Sequence, residues 1–260
     1  MSKHAALDRF GRSGNPFIGS DLFQKVALDN EEVTTLDGAV NKTAILLGLT
    51  ILTASISWNF QGPMMGLISG IGVAAAMISA IATFGLWIFS WIIKPTPHRA
   101  PYTAPIYAAG MGFAIGLISQ QFESLFPGIV IQAVSLTFFV AASLLLLYKT
   151  GVIRPDQNFL LIMACATLGI FFTYIANIFY AMATGSSFSI ITDTGLMGIG
   201  FSLFVVVIAA LNLVLDFDII EQAAETRAPK YMEWFGAMAL VMTLIWLYLE
   251  ILRLLAKLRS

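Results

Sequence analysis

The sequence predicts an all-α integral membrane protein, a bundle of seven transmembrane helices. Apolar residues make up 58% of the 260-residue chain and charged residues only 11%, with a mean hydropathy of +0.84. A soluble domain carries about 25% charged residues, because its surface faces water. The apolar runs are long and lack the alternation of barrel strands, so their backbone hydrogen bonds must be satisfied within helices.

Seven apolar runs reach or approach the roughly 20 residues that a helix needs to cross the hydrocarbon layer. The predicted spans are 43–60, 64–93, 102–122, 128–148, 159–183, 195–220 and 234–255. The chain thus divides into a polar N-terminal tail, 1–40, and a single transmembrane domain, 41–260. The tail lacks the apolar core of a signal peptide, so we expect the first span to direct insertion.

The lysines and arginines predict the orientation of the spans. They precede span one and follow spans two, four and six, whereas the loops after spans one, three and five contain none. The positive-inside rule then places the N-terminus in the cytoplasm. With seven spans the C-terminus lies outside, where Arg253, Lys257 and Arg259 conflict with the rule. Six spans with a re-entrant last segment is the alternative.

Several classes of function are excluded by composition and motifs. A net charge of -1 gives no basic field for nucleic acid. Cys165 is the single cysteine, and no metal cluster, phosphate loop or dinucleotide motif appears. His4 and His98 lie outside the spans, so Ser202 has no base for nucleophilic catalysis. We therefore expect no enzyme activity, no cofactor and no bound metal centre.

Two GxxxG patterns, Gly66 to Gly70 and Gly112 to Gly116, occur within predicted spans. Small residues let helix backbones approach closely in lipid. We interpret both patterns as packing positions within the bundle, with homodimerisation as the alternative.

The end of span six carries the first candidate ionisable group. Asn212 and Asp216 are four residues apart and share a helix face. Asp218 points about 200° away from Asp216 at 3.6 residues per turn. An ionisable residue inside a span is costly, so we interpret Asp216 as a functional carboxylate in the bundle, with a wetted helix end as the alternative. Asp218 and Glu221 are interpreted as interfacial.

Glu250, in span seven, is the second candidate. It either forms an ion pair with Arg253 at i+3 or faces the acidic end of span six. Two neighbouring carboxylates cannot both ionise cheaply in a low dielectric, so such a pair would share a proton and act as a pH-sensitive gate. In a straight hairpin Glu250 would not reach Asp216, and Glu221 or Glu233 would be the nearer partner. Glu123, near the predicted outer surface, is interpreted as a solvated helix end.

Several segments together resemble the Bax inhibitor family, in its bacterial YccA-like branch, from about residue 41 onward. They are NKT at 41–43, APIY at 104–107, PGIVIQA at 127–133, GFSLF at 200–204, APKYMEW at 228–234, and the segments 209–222 and 246–257. The resemblance implies a seven-helix fold with the last helix central, in a bacterial inner membrane.

The resemblance also implies a pH-dependent calcium leak gated by two aspartates on spans six and seven. The first aspartate corresponds to Asp216, and the second position is occupied by Glu250. The basic residue that the family places on span two has no match, since 64–93 holds no Lys or Arg. The alternative that the resemblance implies is a regulator that binds another membrane protein, such as a membrane-anchored protease, without transport of its own.

Overall fold

The computed structural model describes residues 33–59 and 97–260, and within these ranges the chain is helical with no strand. Val33 and Pro229 form an isolated antiparallel bridge. A 3-10 turn, Pro97–Arg99, precedes the second helix. The helices are α1, Leu36–Trp58; α2, Ala100–Leu125; α3, Ile129–Lys149; α4, Gln157–Thr184; α5, Ser189–Thr192; α6, Leu196–Glu225; and α7, Tyr231–Arg259.

Six of these helices, all except α5, are long and apolar enough to cross a membrane. They coincide with six of the predicted spans and confirm a helical membrane bundle. The predicted span 64–93, with its Gly66 to Gly70 pattern, lies outside the described residues. The last segment forms one continuous helix of 29 residues, so it has the length of a full crossing rather than of a re-entrant segment.

α7 is the centre of the bundle, as predicted. Of its most apolar stretch, 94% is buried, compared with 17% for α1 and 17% for α3. It packs against α6, α1, α2 and α3. Because neighbours cover α7 on all sides, its apolar residues continue around the helix, and the main hydrophobic core is built on it.

α1 and α2 run parallel and in close contact. Thr50 Oγ1 lies 3.4 Å from the carbonyl oxygen of Ala108. Further along both helices, Gly112 packs on the backbone of Thr50 and Gly116 on the backbone of Ala54. The two helices therefore begin on the same side of the bundle, as the predicted topology requires. The Gly112 to Gly116 pattern serves internal packing.

α6 and α7 form an antiparallel hairpin whose register is defined at two points. A Cβ at Gly236 would lie 2.9 Å from Ile220 Cγ1, so these residues are level with each other. Near the other end, Lys257 Nζ donates a hydrogen bond of 2.9 Å to the carbonyl oxygen of Gly198. Moving one residue toward the C-terminus of α7 therefore corresponds to moving one residue toward the N-terminus of α6.

α4 stands apart from the main core. The buried cluster around α7 contains no residue of α4. Leu160, Met163, Ile170 and Tyr174 of α4 instead join a second cluster with α5 and α6. Since only one stripe of α4 is covered, the bundle has a body centred on α7 and a helix attached at its side.

Candidate functional site

Asp216 is fully buried, with an exposed fraction of 0%, although it lies within a long apolar helix. The hairpin register places it level with Leu240 of α7. One turn away, Asn212 Nδ2 donates to Thr167 Oγ1 of α4 at 3.1 Å and to the Ile208 carbonyl at 2.8 Å. Asp216 is therefore a carboxylate enclosed by the bundle, beside an amide that bridges two helices.

Glu250 is also buried, with 2% of its surface exposed, and it has two partners. Arg253 Nη1 lies 2.9 Å from Glu250 Oε1 and 2.8 Å from Oε2. The Tyr174 hydroxyl donates to Glu250 Oε1 at 2.9 Å and accepts from Arg253 Nη1 at 2.5 Å. The guanidinium also stands 5.3 Å from the centre of the Tyr174 ring. The i+3 ion pair, one of the predicted alternatives, is thus present, and a tyrosine links it to α4.

The structure does not bring Asp216 and Glu250 together. Glu250 is level with Val206 of α6, about ten residues along the hairpin from the level of Asp216. At 1.5 Å per residue this is an axial separation of about 15 Å. The expectation that Glu250 faces the acidic end of α6 is therefore wrong, because α7 is one continuous helix between these levels.

Asp218 and Glu221 lie with Tyr148 at the end of α3. The Tyr148 hydroxyl donates to Asp218 Oδ1 at 3.3 Å and to Glu221 Oε2. Gln222 Nε2 donates to Asp218 Oδ2 at 2.6 Å. Through Tyr148 these partly buried carboxylates connect α6 to α3. Their role therefore differs from that of Asp216.

Glu233 is a buried carboxylate, 1% exposed, at the start of α7. Lys42 Nζ lies 2.6 Å from its Oε2, and the backbone nitrogen and hydroxyl of Thr35 donate to Oε1 at 2.9 and 3.0 Å. Thr34 donates from its backbone and its hydroxyl to the carbonyls of Ala228 and Pro229, both at 2.7 Å. These contacts fasten the start of α1 to the turn between α6 and α7.

Glu123 and the basic residues at the end of α7 form hydrogen bonds with the loops and helix ends around them. Glu123 accepts backbone hydrogen bonds from Gly128 at 2.5 Å and Val130 at 3.1 Å, and so caps the positive end of α3. Arg259 donates to the Pro127 carbonyl at 3.0 Å and to Gln132 Oε1 at 2.7 Å. Together with Arg253 on Glu250 and Lys257 on a carbonyl, all three basic residues that conflicted with the predicted topology are bound within the protein.

Tyr174 and Lys42 are the residues that the sequence interpretation missed. A tyrosine in the middle of a span is a usable signal, because a buried hydroxyl needs a polar partner. For Lys42 the signal is weaker: α1 and α7 are both predicted to begin on the cytoplasmic side, which brings Lys42 and Glu233 to the same surface. Within residues 33–59 and 97–260, no group of three or more His, Cys, Asp or Glu side chains is arranged to hold a metal ion.

Comparison with curated proteins finds no match. A family model described as Bax inhibitor 1 like matches residues 15–260, which is nearly the whole chain and includes every helix described above. The match covers the buried carboxylates Asp216, Glu233 and Glu250 and the central α7. The protein is an integral membrane protein that belongs to the Bax inhibitor 1-like family.

Proposed function

We propose that the protein is a pH-sensitive cation leak, with calcium as the cation, gated by carboxylates within the membrane. It would lie in a bacterial inner membrane with its N-terminus in the cytoplasm, and it would carry out no chemical reaction. The single observation that supports this best is the Asp216 carboxylate, fully buried inside a membrane-spanning helix. Membership of the Bax inhibitor 1-like family supports the same direction.

The chemistry follows from the cost of a charge away from water. A buried carboxylate must bind a proton, a cation or a basic side chain, because an isolated anion in a low dielectric is very unfavourable. A group that exchanges a proton for a metal cation gives a transport rate that depends on pH. Asp216 would be that group, and the Asn212 amide beside it is held by Thr167 and would define one side of the site.

Glu250 would have a positioning role, because the guanidinium of Arg253 balances its charge. The two carboxylates lie at different depths, so they would not share a proton. Glu250 would hold Arg253 in place, and Asp216 would respond to pH. Asp216 and Glu250 would thus have separate roles, in place of the expected pair of carboxylates that share a proton.

The test is calcium flux into dye-loaded liposomes carrying the purified protein, at acidic and alkaline pH. Flux should rise with pH, since the ionised Asp216 attracts the cation, and Asp216→Asn should abolish this dependence. Glu250→Gln should lower flux at both pH values, because the charge of Arg253 is then unbalanced. The matched controls, Asp37→Asn and Glu225→Gln, change exposed carboxylates and should behave as wild type.

Two results would contradict the proposal. One is flux that keeps its pH dependence in Asp216→Asn. The other is no flux above that of empty liposomes under any condition, which would favour the alternative function, a regulator that binds another membrane protein such as a membrane-anchored protease. Reproducible co-purification of such a partner from detergent extracts would then be the next measurement.

A further inference from the structure

α4 is attached to the rest of the described bundle along one side. Its apolar contacts belong to the second cluster, which it shares with α5, α6 and Trp246 of α7. Across the interface, α4 is bonded through Thr167 to Asn212 and through Tyr174 to Glu250 and Arg253. Within the described residues α4 is thus held by one apolar stripe and a few polar contacts, so an outward movement of this helix would break few contacts.

The polar groups behind α4 follow one another along the hairpin of α6 and α7. We call this set the polar seam; its members, from the C-terminal end of α7, are Lys257 on the Gly198 carbonyl, the Glu250–Arg253–Tyr174 group, Asn212 on Thr167, and Asp216. By the hairpin register they extend from the level of residue 257 to that of residue 240. At 1.5 Å per residue the polar seam is about 25 Å long, close to the thickness of the hydrocarbon layer.

The hydrogen bonds show which way the polar seam faces. Asn212 of α6 and Glu250 of α7 both bond to side chains of α4, so the polar sides of the two helices at these levels are directed toward it. Asp216 lies one turn from Asn212, on the same face. Moving α4 outward would therefore uncover the polar seam along most of its length.

We propose that the polar seam is the path of the cation leak, and that the Tyr174 hydroxyl is the contact that keeps this path closed. The proposal rests on the proposed function and adds to it a route and a positioning residue. The ion pair of Glu250 and Arg253 joins two residues of one helix, so by itself it holds no helices together. Tyr174 converts it into a contact between α4 and α7.

The charges of the closed seam agree with this role. Along the closed seam the charges are balanced: Glu250 is paired with Arg253, and Lys257, which donates to the Gly198 carbonyl, also interacts with the Asp193 carboxylate. By the hairpin register α6 contributes Val205 and Val206 at the level of Glu250, and the charged and titratable groups around Glu250 include Arg253, Tyr174 and, two turns further along α7, Lys257. Loss of the Tyr174 contact separates α4 from α7 and leaves the Glu250–Arg253 pair of α7 facing the path.

The first experiment measures the position of α4 directly. Cys165 is the single cysteine and is exposed on α4, so it accepts a nitroxide label without an added mutation there. A second nitroxide is placed at Ile51→Cys on α1, where the isoleucine is 57% exposed. Double electron–electron resonance then measures the distance between the labels at positions 51 and 165, and so the distance of α4 from the body of the bundle. Tyr174→Phe, which removes only the hydroxyl, should lengthen or broaden this distance. Tyr180→Phe, the same change on the exposed side of α4, should leave it unchanged.

The second experiment measures calcium flux in the same proteins. The Tyr174 hydroxyl makes two hydrogen bonds to α7, and each bond of this kind between membrane helices changes the population of an open state by about threefold, so Tyr174→Phe should raise flux by about three- to tenfold. The matched control is Tyr248→Phe, which removes a hydroxyl bonded to Ser119 at 2.5 Å on another side of α7 and should not raise flux.

The outcomes separate this proposal from the proposed function. Unchanged distances in Tyr174→Phe would overturn it, whether or not the protein leaks. If the wild type leaks and Tyr174→Phe displaces α4 without changing the flux, the proposed path is overturned. An equal rise of flux in Tyr248→Phe would also overturn it. A wild type without any flux would instead refute the proposed function, while the distances would still report whether Tyr174 holds α4.

Discussion

The close contact of α1 and α2 allows a quantitative test of the fold. An alanine at position 112 would place its Cβ 2.8 Å from Thr50 Cα, and one at position 116 would place it 2.8 Å from Ala54 Cα. Carbon atoms normally approach to about 3.5–4.0 Å. In both cases the obstacle is helix backbone, which cannot rotate away as a side chain can, so Gly112→Ala must push the two helices apart by about 1 Å.

The expected loss can be compared with a control on the same helix. Overpacking of this kind costs about 1–3 kcal/mol, because contacts along the separated helices are weakened. Replacing glycine by alanine in a helix contributes about 0.5–1 kcal/mol in the opposite direction. A Cβ added at Gly110 would meet no atom of the described residues within 4 Å, so Gly110→Ala receives the gain alone. Gly112→Ala should therefore be less stable than Gly110→Ala by about 1–3 kcal/mol.

The assay is equilibrium unfolding of both variants and wild type in detergent micelles, followed by far-ultraviolet circular dichroism. Gly116→Ala should resemble Gly112→Ala, since it meets the same kind of obstacle. Equal stability of Gly112→Ala and Gly110→Ala would refute the parallel contact of α1 and α2 described here.

Two further changes test other parts of the structure. Lys42→Met leaves the buried Glu233 without its cation and should lower the free energy of unfolding by about 2–4 kcal/mol, somewhat less than for a fully enclosed pair because Lys42 is partly exposed. The double variant Lys42→Met, Glu233→Leu should recover much of this loss in the same unfolding assay. No recovery in the double variant would contradict the pairing. Asp156→Ala removes the carboxylate that accepts from the Phe159 backbone nitrogen at 2.7 Å, so the first turn of α4 should lose about 1 kcal/mol of local stability, seen as faster amide hydrogen exchange confined to that turn.

The positions of the helices could be predicted, because apolar length is a local property of the sequence. Their ends could not. α1 begins at Leu36 rather than at residue 43, and Lys42 lies within it, since Glu233 of another helix binds its charge. α7 likewise continues to Arg259 through Arg253 and Lys257. A charged residue at the end of an apolar run ends the predicted span unless its partner is known, and the partners lie far away in sequence.

The buried carboxylates show the same limit. Asp216 and Glu250 could be selected from the sequence because ionisable residues are rare within apolar runs. The pairing of Glu250 with Arg253 was a local alternative at i+3, and it is present. The contact with Tyr174, 76 residues away, and the separation of Asp216 from Glu250 depend on helix packing and register, which no local pattern encodes.

The central position of α7 has a consequence for biogenesis. In chain order α7 follows the other six described helices, so it leaves the ribosome after all of them, although four of them pack against it. Until then their inward faces have only lipid or one another to contact, and contacts such as that of Thr34 with Pro229, 195 residues apart, cannot form. The central core of the bundle therefore cannot form until this late segment is in place, whereas the contact of α1 with α2 can form before it.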